Sequence, residues 1–151
     1  MKEKLLISAC LCGQNTKYNG GNNNLKNLEL LEQKFILIPI CPEVMGGLST
    51  PRDPSEKQEK RVVSNKGKDV TKEFELGAFK ALKIAKENGV TLALLKESSP
   101  SCGSHLIYDG SFSGTKIEGE GITAKLLREN QIKIYSENQI DELLDLQEHN
   151  I

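Results

Sequence analysis

Apolar residues fall along this chain in short bursts that alternate with amphipathic stretches. The run KLLISACL (4–11) has the length of a buried strand. In NNLKNLELLEQ (23–33), Leu25, Leu28 and Leu31 recur at helical spacing and predict a short helix. FILIPIC (35–41) is continuous and β-branched, which predicts a strand buried on both faces. Its Pro39 cannot donate to a ladder and marks an edge or a strand end. MGGLSTPRDPSEKQEKR (45–61) breaks the pattern with Gly, Pro and charge and predicts a long loop, followed by a short strand at RVVSN (61–65). The strongest helical signal is 69–89, where Phe74, Ala78, Ala81, Leu82 and Ala85 share a face, Asp69 or Thr71 can cap the start, and Asn88-Gly89 stops it. VTLALLKE (90–97) reads as a buried strand, GITAKLLRENQ (121–131) as a helix, IKIYS (132–136) as a strand and NQIDELLDLQEHN (138–150) as a closing helix.

Strand–helix alternation with continuous apolar strands predicts an α/β chain: a three-layer, Rossmann-like domain whose mostly parallel sheet is covered by helices on both faces. The 151 residues suffice for one domain, spanning 1–151, with a core of its own. A formal net charge of −1 leaves no polybasic footprint, so the expected partner is a small molecule rather than DNA or a membrane surface. Apolar runs stay well short of the roughly 18 residues of a spanning helix. The start MKEKLLISACLCGQ does not read as an export signal, so a cytoplasmic location is expected. Oligomeric state is not legible.

In such a compartment cysteines are reduced thiols. The chain has four: Cys10, Cys12, Cys41 and Cys102. Taken singly, each reads as a small buried hydrophobe. Their positions change that reading. Cys10 lies at the carboxyl end of the first predicted strand, Cys41 ends the second, and Cys102 follows the strand at 90–97. In a parallel sheet those ends share one edge, outside which ligands bind in open α/β folds. The flanking segments CPEVMGG and SPSCGS are rich in Gly and Pro, unlike core contexts. Three such thiolates can hold Zn²⁺ with a fourth ligand, or three irons of a [4Fe–4S] cluster with one iron left open. All-sulfur ligation with no neighbouring His leans towards iron–sulfur. Cys12, two residues beyond Cys10, points either into the same crevice or away from it.

The blocks SACLCG, KYNGG, PICPEVMGGLSTPRDPSE, DVT…F…GA, LLKESSPSCG and IYDGSFSG, in this order from about residue 6 to 127, resemble the bacterial thiouracil desulfidase family. The resemblance implies a [4Fe–4S]-dependent, non-redox enzyme that removes sulfur from a thiolated pyrimidine of the 2- or 4-thiouracil type and releases a uracil-type product and sulfide. It implies Cys10, Cys41 and Cys102 as cluster ligands, with the fourth iron free to take the substrate's sulfur; zinc can occupy the thiolates of an isolated sample. The family pattern has an apolar residue where this chain has Cys12, and Asp where it has Asn19.

Hydrolysis of a thiocarbonyl still needs a base for the water and an acid for the ring or leaving group. Glu43, two residues after Cys41, is the candidate, against the plainer reading of a loop carboxylate paired with Arg52. Ser101 and Ser99, beside Cys102, are candidates to bind the pyrimidine or the water, against the plainer reading of turn chemistry. Tyr18 and Tyr108 are expected to line a pocket for a planar ring, and Asp109 to accept from a ring N–H. The plainer reading makes KYNGG and IYDGSFSG tight turns with the tyrosines packed over the sheet edge. Neither G-x-G-x-x-G nor a P-loop is present, so no phosphate cradle is expected. His105 and His149 are isolated histidines. Two other functions compete: a cluster- or metal-binding sensing module without turnover, and a nucleobase-binding protein with structural cysteines.

Overall fold

The computed structural model describes residues 2–146. In chain order it contains β1 (Glu3–Ser8), a 3-10 turn (Ala9–Cys12), α1 (Leu28–Lys34), β2 (Phe35–Ile40), α2 (Pro42–Met45), β3 (Ser55–Gln58), β4 (Arg61–Ser64), α3 (Thr71–Glu87), β5 (Leu92–Leu95), β6 (Leu106–Tyr108), β7 (Lys116–Glu118), α4 (Ile122–Glu129), β8 (Lys133–Ser136), a second 3-10 turn (Glu137–Gln139) and α5 (Ile140–Asp145). The central sheet has the order β2-β1-β5-β8, and every pairing in it is parallel. Its four carboxyl ends therefore open on one edge.

Alternation along the strands splits the core in two. Leu6, Ala93 and Leu95 face α3 and α4, where they meet Ala81, Leu82, Ala85, Ala124 and Leu127. Leu5, Ile7, Leu92 and Leu94 face the other way, against Leu31, Ile140 and Leu143 of α1 and α5. Period-2 side chains on strands buried from both sides produce this arrangement, with apolar residues at consecutive positions. The expected α/β layering with a mostly parallel sheet is present. The two expected capping residues of α3 divide the work: Asp69 Oδ1 accepts from Thr71 N at 2.9 Å, and Thr71 Oγ1 accepts from Val62 N at 2.9 Å, tying the helix start to β4.

Three sequence expectations change. FILIPI is not buried on both faces: β2 is an edge strand paired only with β1, and Ile36 is 49% exposed. Pro39 is at home there, because an edge strand has one side without ladder partners. The long loop at 45–61 contains order, since α2 and the antiparallel β3–β4 hairpin occupy its ends. IYDGSFSG is not only turns: it opens a second antiparallel hairpin, β6–β7. RVVSN forms β4 as expected, but β3 and β7 escape a hydrophobic-pattern reading because SEKQ and KIE carry almost no apolar residues. The closing helix is seen over Ile140–Asp145, with 138 and 139 in the 3-10 turn before it and Leu146 already extended; 147–150 of its predicted span, with His149, lie outside the described residues. Among the described residues no helix is long and apolar enough to cross a membrane.

Candidate functional site

A cavity of about 450 Å³ opens where the sheet's carboxyl ends meet the loops that follow them. Its walls include Cys10, Cys41 and Cys102, together with Glu43, Ser99, Tyr18 and Tyr108. Cys10 sits in the 3-10 turn directly after β1. Cys41 follows the last residue of β2 and precedes α2. Cys102 lies on the long connection between β5 and β6. Parallel topology has thus gathered three thiols that are dozens of residues apart in the chain.

Each loop is fixed by its own bonds. Asn23 Nδ2 donates to Cys10 Sγ at 3.4 Å while Asn23 N donates to the Cys10 carbonyl at 2.8 Å, so the segment after the first turn folds back over it. The short α2 is seated on α3 by two glycines: a Cβ on Gly77 would stand 1.8 Å from the Pro42 carbonyl oxygen, and one on Gly46 would stand 1.9 Å from that of Glu73. Only hydrogen-for-side-chain replacement at both positions lets the backbones meet, and this contact sets where Cys41 and Glu43 stand. In the third loop Ser99 Oγ accepts from Ser101 N at 3.1 Å and Cys102 N at 3.0 Å.

Glu43 and Ser99 meet in the cavity. Glu43 Oε1 accepts from Arg52 Nε at 3.1 Å, and Glu43 Oε2 accepts from Ser99 Oγ at 3.5 Å. Burial raises the Glu43 carboxyl above its ordinary value, opposed by the Arg52 charge and by both hydrogen bonds. Arg52 in turn donates to the Thr16 carbonyl at 2.8 Å, and Cys41 Sγ lies 3.9 Å from that same oxygen. The ion pair with Arg52 and the site-facing position of Glu43, posed as alternatives by the sequence, are both present.

Other expected site residues are placed elsewhere. Ser101 is fully buried and does not line the cavity; its Oγ is 2.7 Å from Thr123 Oγ1 on α4. Proline and the tight turn face its side chain away from Ser99, so its hydroxyl serves packing of the loop on α4. Asp109 also stays off the cavity wall: its Oδ1 accepts from Ser111 N at 2.9 Å and from Ser111 Oγ at 2.5 Å, closing the β6–β7 turn. Asn19 Oδ1 likewise accepts from Gly21 N at 2.9 Å in a turn of its own. Cys12 is half-buried, packs beside Leu11 and Leu31, and is absent from the cavity wall. Burial, the neighbouring Cys10 and Glu32 push its thiol up to about 11. His105 is largely exposed, with Nδ1 3.1 Å from Glu97 Oε2.

Glu97 is the main residue that pattern reading misses. Its Oε1 accepts from the backbone N–H groups of Ser98, Ser104, His105 and Leu106 at 3.0–3.3 Å, and Oε2 lies 3.3 Å from Ser104 Oγ. Burial pushes this carboxyl up, but the bonds from His105, Leu106 and Ser98 outweigh it and bring it down to about 2. The connection bearing Ser99 and Cys102 is therefore wound around a fixed anion. Ser98, next in sequence, takes φ 69, a left-handed conformation tolerated because Glu97 holds the turn. The signal available in sequence was an acidic residue directly after an apolar strand, which is too common to single out. Glu56 plays a lesser version of the part, accepting from Gly110 N at 3.0 Å and Phe112 N at 3.2 Å.

Three thiols on one cavity, one of them receiving an N–H bond from Asn23, are a donor set that suits an iron–sulfur group. Cys41 raises the Cys10 thiol, and both raise that of Cys102, after the larger effect of burial. Among the described residues, no three His, Cys, Asp or Glu side chains are grouped as one ion would require. Tetrahedral zinc, with bonds of about 2.3 Å, needs its sulfurs within roughly 4 Å of one another. A cluster spreads its ligands more widely and gains from an N–H donor to sulfur such as Asn23 supplies.

Comparisons with known proteins agree with this geometry. A solved structure titled [4Fe-4S]-dependent thiouracil desulfidase TudS superposes with a TM-score of 0.90 at 47% identity, covering 94% of this chain and 95% of that one. The protein YbbK of Bacillus subtilis (strain 168) is 39% identical over 150 residues, 93% of this chain and 99% of the relative. The sequence model described as 2-thiouracil desulfurase matches residues 5–139, which takes in β1 through the second 3-10 turn and all three cavity thiols. The chain belongs to the 2-thiouracil desulfurase family.

Proposed function

We propose that this protein is a [4Fe–4S]-dependent desulfidase that hydrolyses the thiocarbonyl of a small thiolated pyrimidine, releasing a uracil-type product and sulfide in the cytoplasm. The observation that carries the reading is the meeting of Cys10, Cys41 and Cys102 with Glu43 and Ser99 on one cavity at the carboxyl edge of a parallel sheet. Cys10, Cys41 and Cys102 would hold the cluster, which when bound supplies a soft Lewis acid able to polarise a thiocarbonyl.

The remaining work falls to side chains. Glu43 is the proton carrier: desolvation raises its carboxyl, so it can take a proton from water and return one to the ring nitrogen or the departing sulfur. Arg52 limits that shift and fixes the carboxylate's direction. Ser99 hydrogen-bonds Glu43 while its oxygen holds the Cys102 backbone, which links proton transfer to thiol placement. Tyr18 and Tyr108 offer flat faces to a pyrimidine, the latter with Lys116 Nζ 5.4 Å from its ring centroid on the way to the β6–β7 hairpin. Ser101 and Asp109 carry no part in this scheme.

Anaerobic reconstitution should give a brown protein with about four irons per chain that converts 2-thiouracil to uracil and sulfide. A colourless, iron-free product under those conditions overturns the reading. Glu43→Ala should keep its iron and lose turnover; a sensing module would be indifferent to it.

A further inference from the structure

The reaction adds water across C=S and expels sulfur: water supplies the carbonyl oxygen and both protons of hydrogen sulfide, and no electrons are exchanged. What the site must manage is charge, first on three thiolates and then on the departing sulfur. Arg52 is already engaged by Glu43, by the Thr16 and Ser49 carbonyls and by Thr50 Oγ1. Lys96 is differently placed. It is the first residue beyond β5, its backbone N–H donates to Ser8 Oγ at 2.9 Å, and it is part of the cavity wall. Its Nζ donates to Glu137 Oε2 at 2.8 Å and to the Glu97 carbonyl at 3.0 Å. An ammonium has three donors, so one remains. Glu137 Oε1 meanwhile accepts from Glu97 N at 2.7 Å, which anchors the pair to the end of β8.

We propose that the Lys96 ammonium, held by Glu137, is the electrostatic counterweight of this site, offsetting the charge of the thiolate group and of the hydrosulfide product, with Glu137 setting its strength. The assignment rests on the desulfidase reading above. Lys96 is a positioning residue for charge, and Glu137 its attenuator. A purely structural ion pair would respond alike to loss of either partner, whereas a charge-balancing pair responds with opposite signs.

The test uses anaerobically reconstituted wild type, Lys96→Met and Glu137→Gln, each checked for iron content. Cluster midpoint potential, inhibition by added sodium sulfide and turnover are then measured. Lys96→Met should shift the potential negative, weaken sulfide inhibition and lower kcat about tenfold, a field effect of a partly screened charge. Glu137→Gln, whose amide oxygen still accepts from Glu97 N, should shift the potential positive and tighten sulfide inhibition. Shifts of the same sign in both variants, or unmoved potentials with iron retained, overturn the proposal. If Lys96→Met fails to hold iron, the positive shift of Glu137→Gln remains decisive by itself. Should wild type load iron yet leave 2-thiouracil untouched, the desulfidase reading fails while the paired potentials still judge Lys96.

Discussion

Glu43 and Glu97 follow two strands of the same parallel sheet, line the same cavity and are both withdrawn from water. They titrate in opposite directions. Glu43 has one guanidinium and one hydroxyl for company, and burial wins, so its carboxyl is raised. Glu97 is gripped by the backbone of its own loop, and hydrogen bonding wins, so its carboxyl falls to about 2. The difference lies in how many fixed donors each oxygen meets. A carboxylate wrapped in N–H groups is a structural anion; one left partly unwrapped can trade protons.

The comparison breaks most visibly at Glu97. Glu97→Ala leaves several buried N–H groups without an acceptor, and chemical unfolding should show a loss of about 4 kcal/mol together with poor iron retention. Acid should expose the same anion. Its folded value lies below the ordinary carboxylate value of 4.5, so its contribution is full above about pH 4.5 and disappears as pH falls towards about 2. The full contribution is about 3 kcal/mol, of which about 2 kcal/mol is lost between about pH 6 and about pH 3, read as the change in the stability difference between wild type and Glu97→Gln in urea unfolding at those two pH values.

Glu43→Gln tests the other half. It should reduce kcat about a hundredfold while iron content and melting temperature hold; a matching fall in stability would mean that Glu43 too is structural. Ser101→Ala should cost about 1 kcal/mol through its lost bond to Thr123, with KM unchanged. A raised KM would return Ser101 to the substrate. Asp109→Asn should leave both the melting temperature and turnover at wild-type values.

Much of this arrangement was legible in the sequence because topology, not local spacing, gathers the thiols. Once β1, β2 and β5 read as parallel strands, Cys10, Cys41 and Cys102 had to share an edge. Pro39 marked the sheet's border correctly, while the apolar run around it overstated its burial, because an edge strand can be apolar without being covered. The choice between Ser99 and Ser101 was beyond pattern reading: the two flank one proline, and only the turn decides which hydroxyl faces the cavity and which faces Thr123. Asp109 was hard to read for a related reason, since its Oδ1 is taken up by the backbone and hydroxyl of Ser111, two residues on. Glu97 and Lys96 were invisible as site residues because their partners are backbone atoms or side chains remote in sequence.

The scattering of the three thiols has a consequence for how the protein matures. A zinc finger's ligands lie close together, so metal can nucleate folding. Here Cys10, Cys41 and Cys102 ride on loops after three different strands, and closing the long chain segments between them before the sheet exists carries an entropic cost with no packing in return. Loading must wait for the sheet. On the proposed ligand set, an unfinished chain emerging from synthesis offers the three thiols no common cradle. Maturation is thereby ordered in time by topology alone, scaffold first and cargo second.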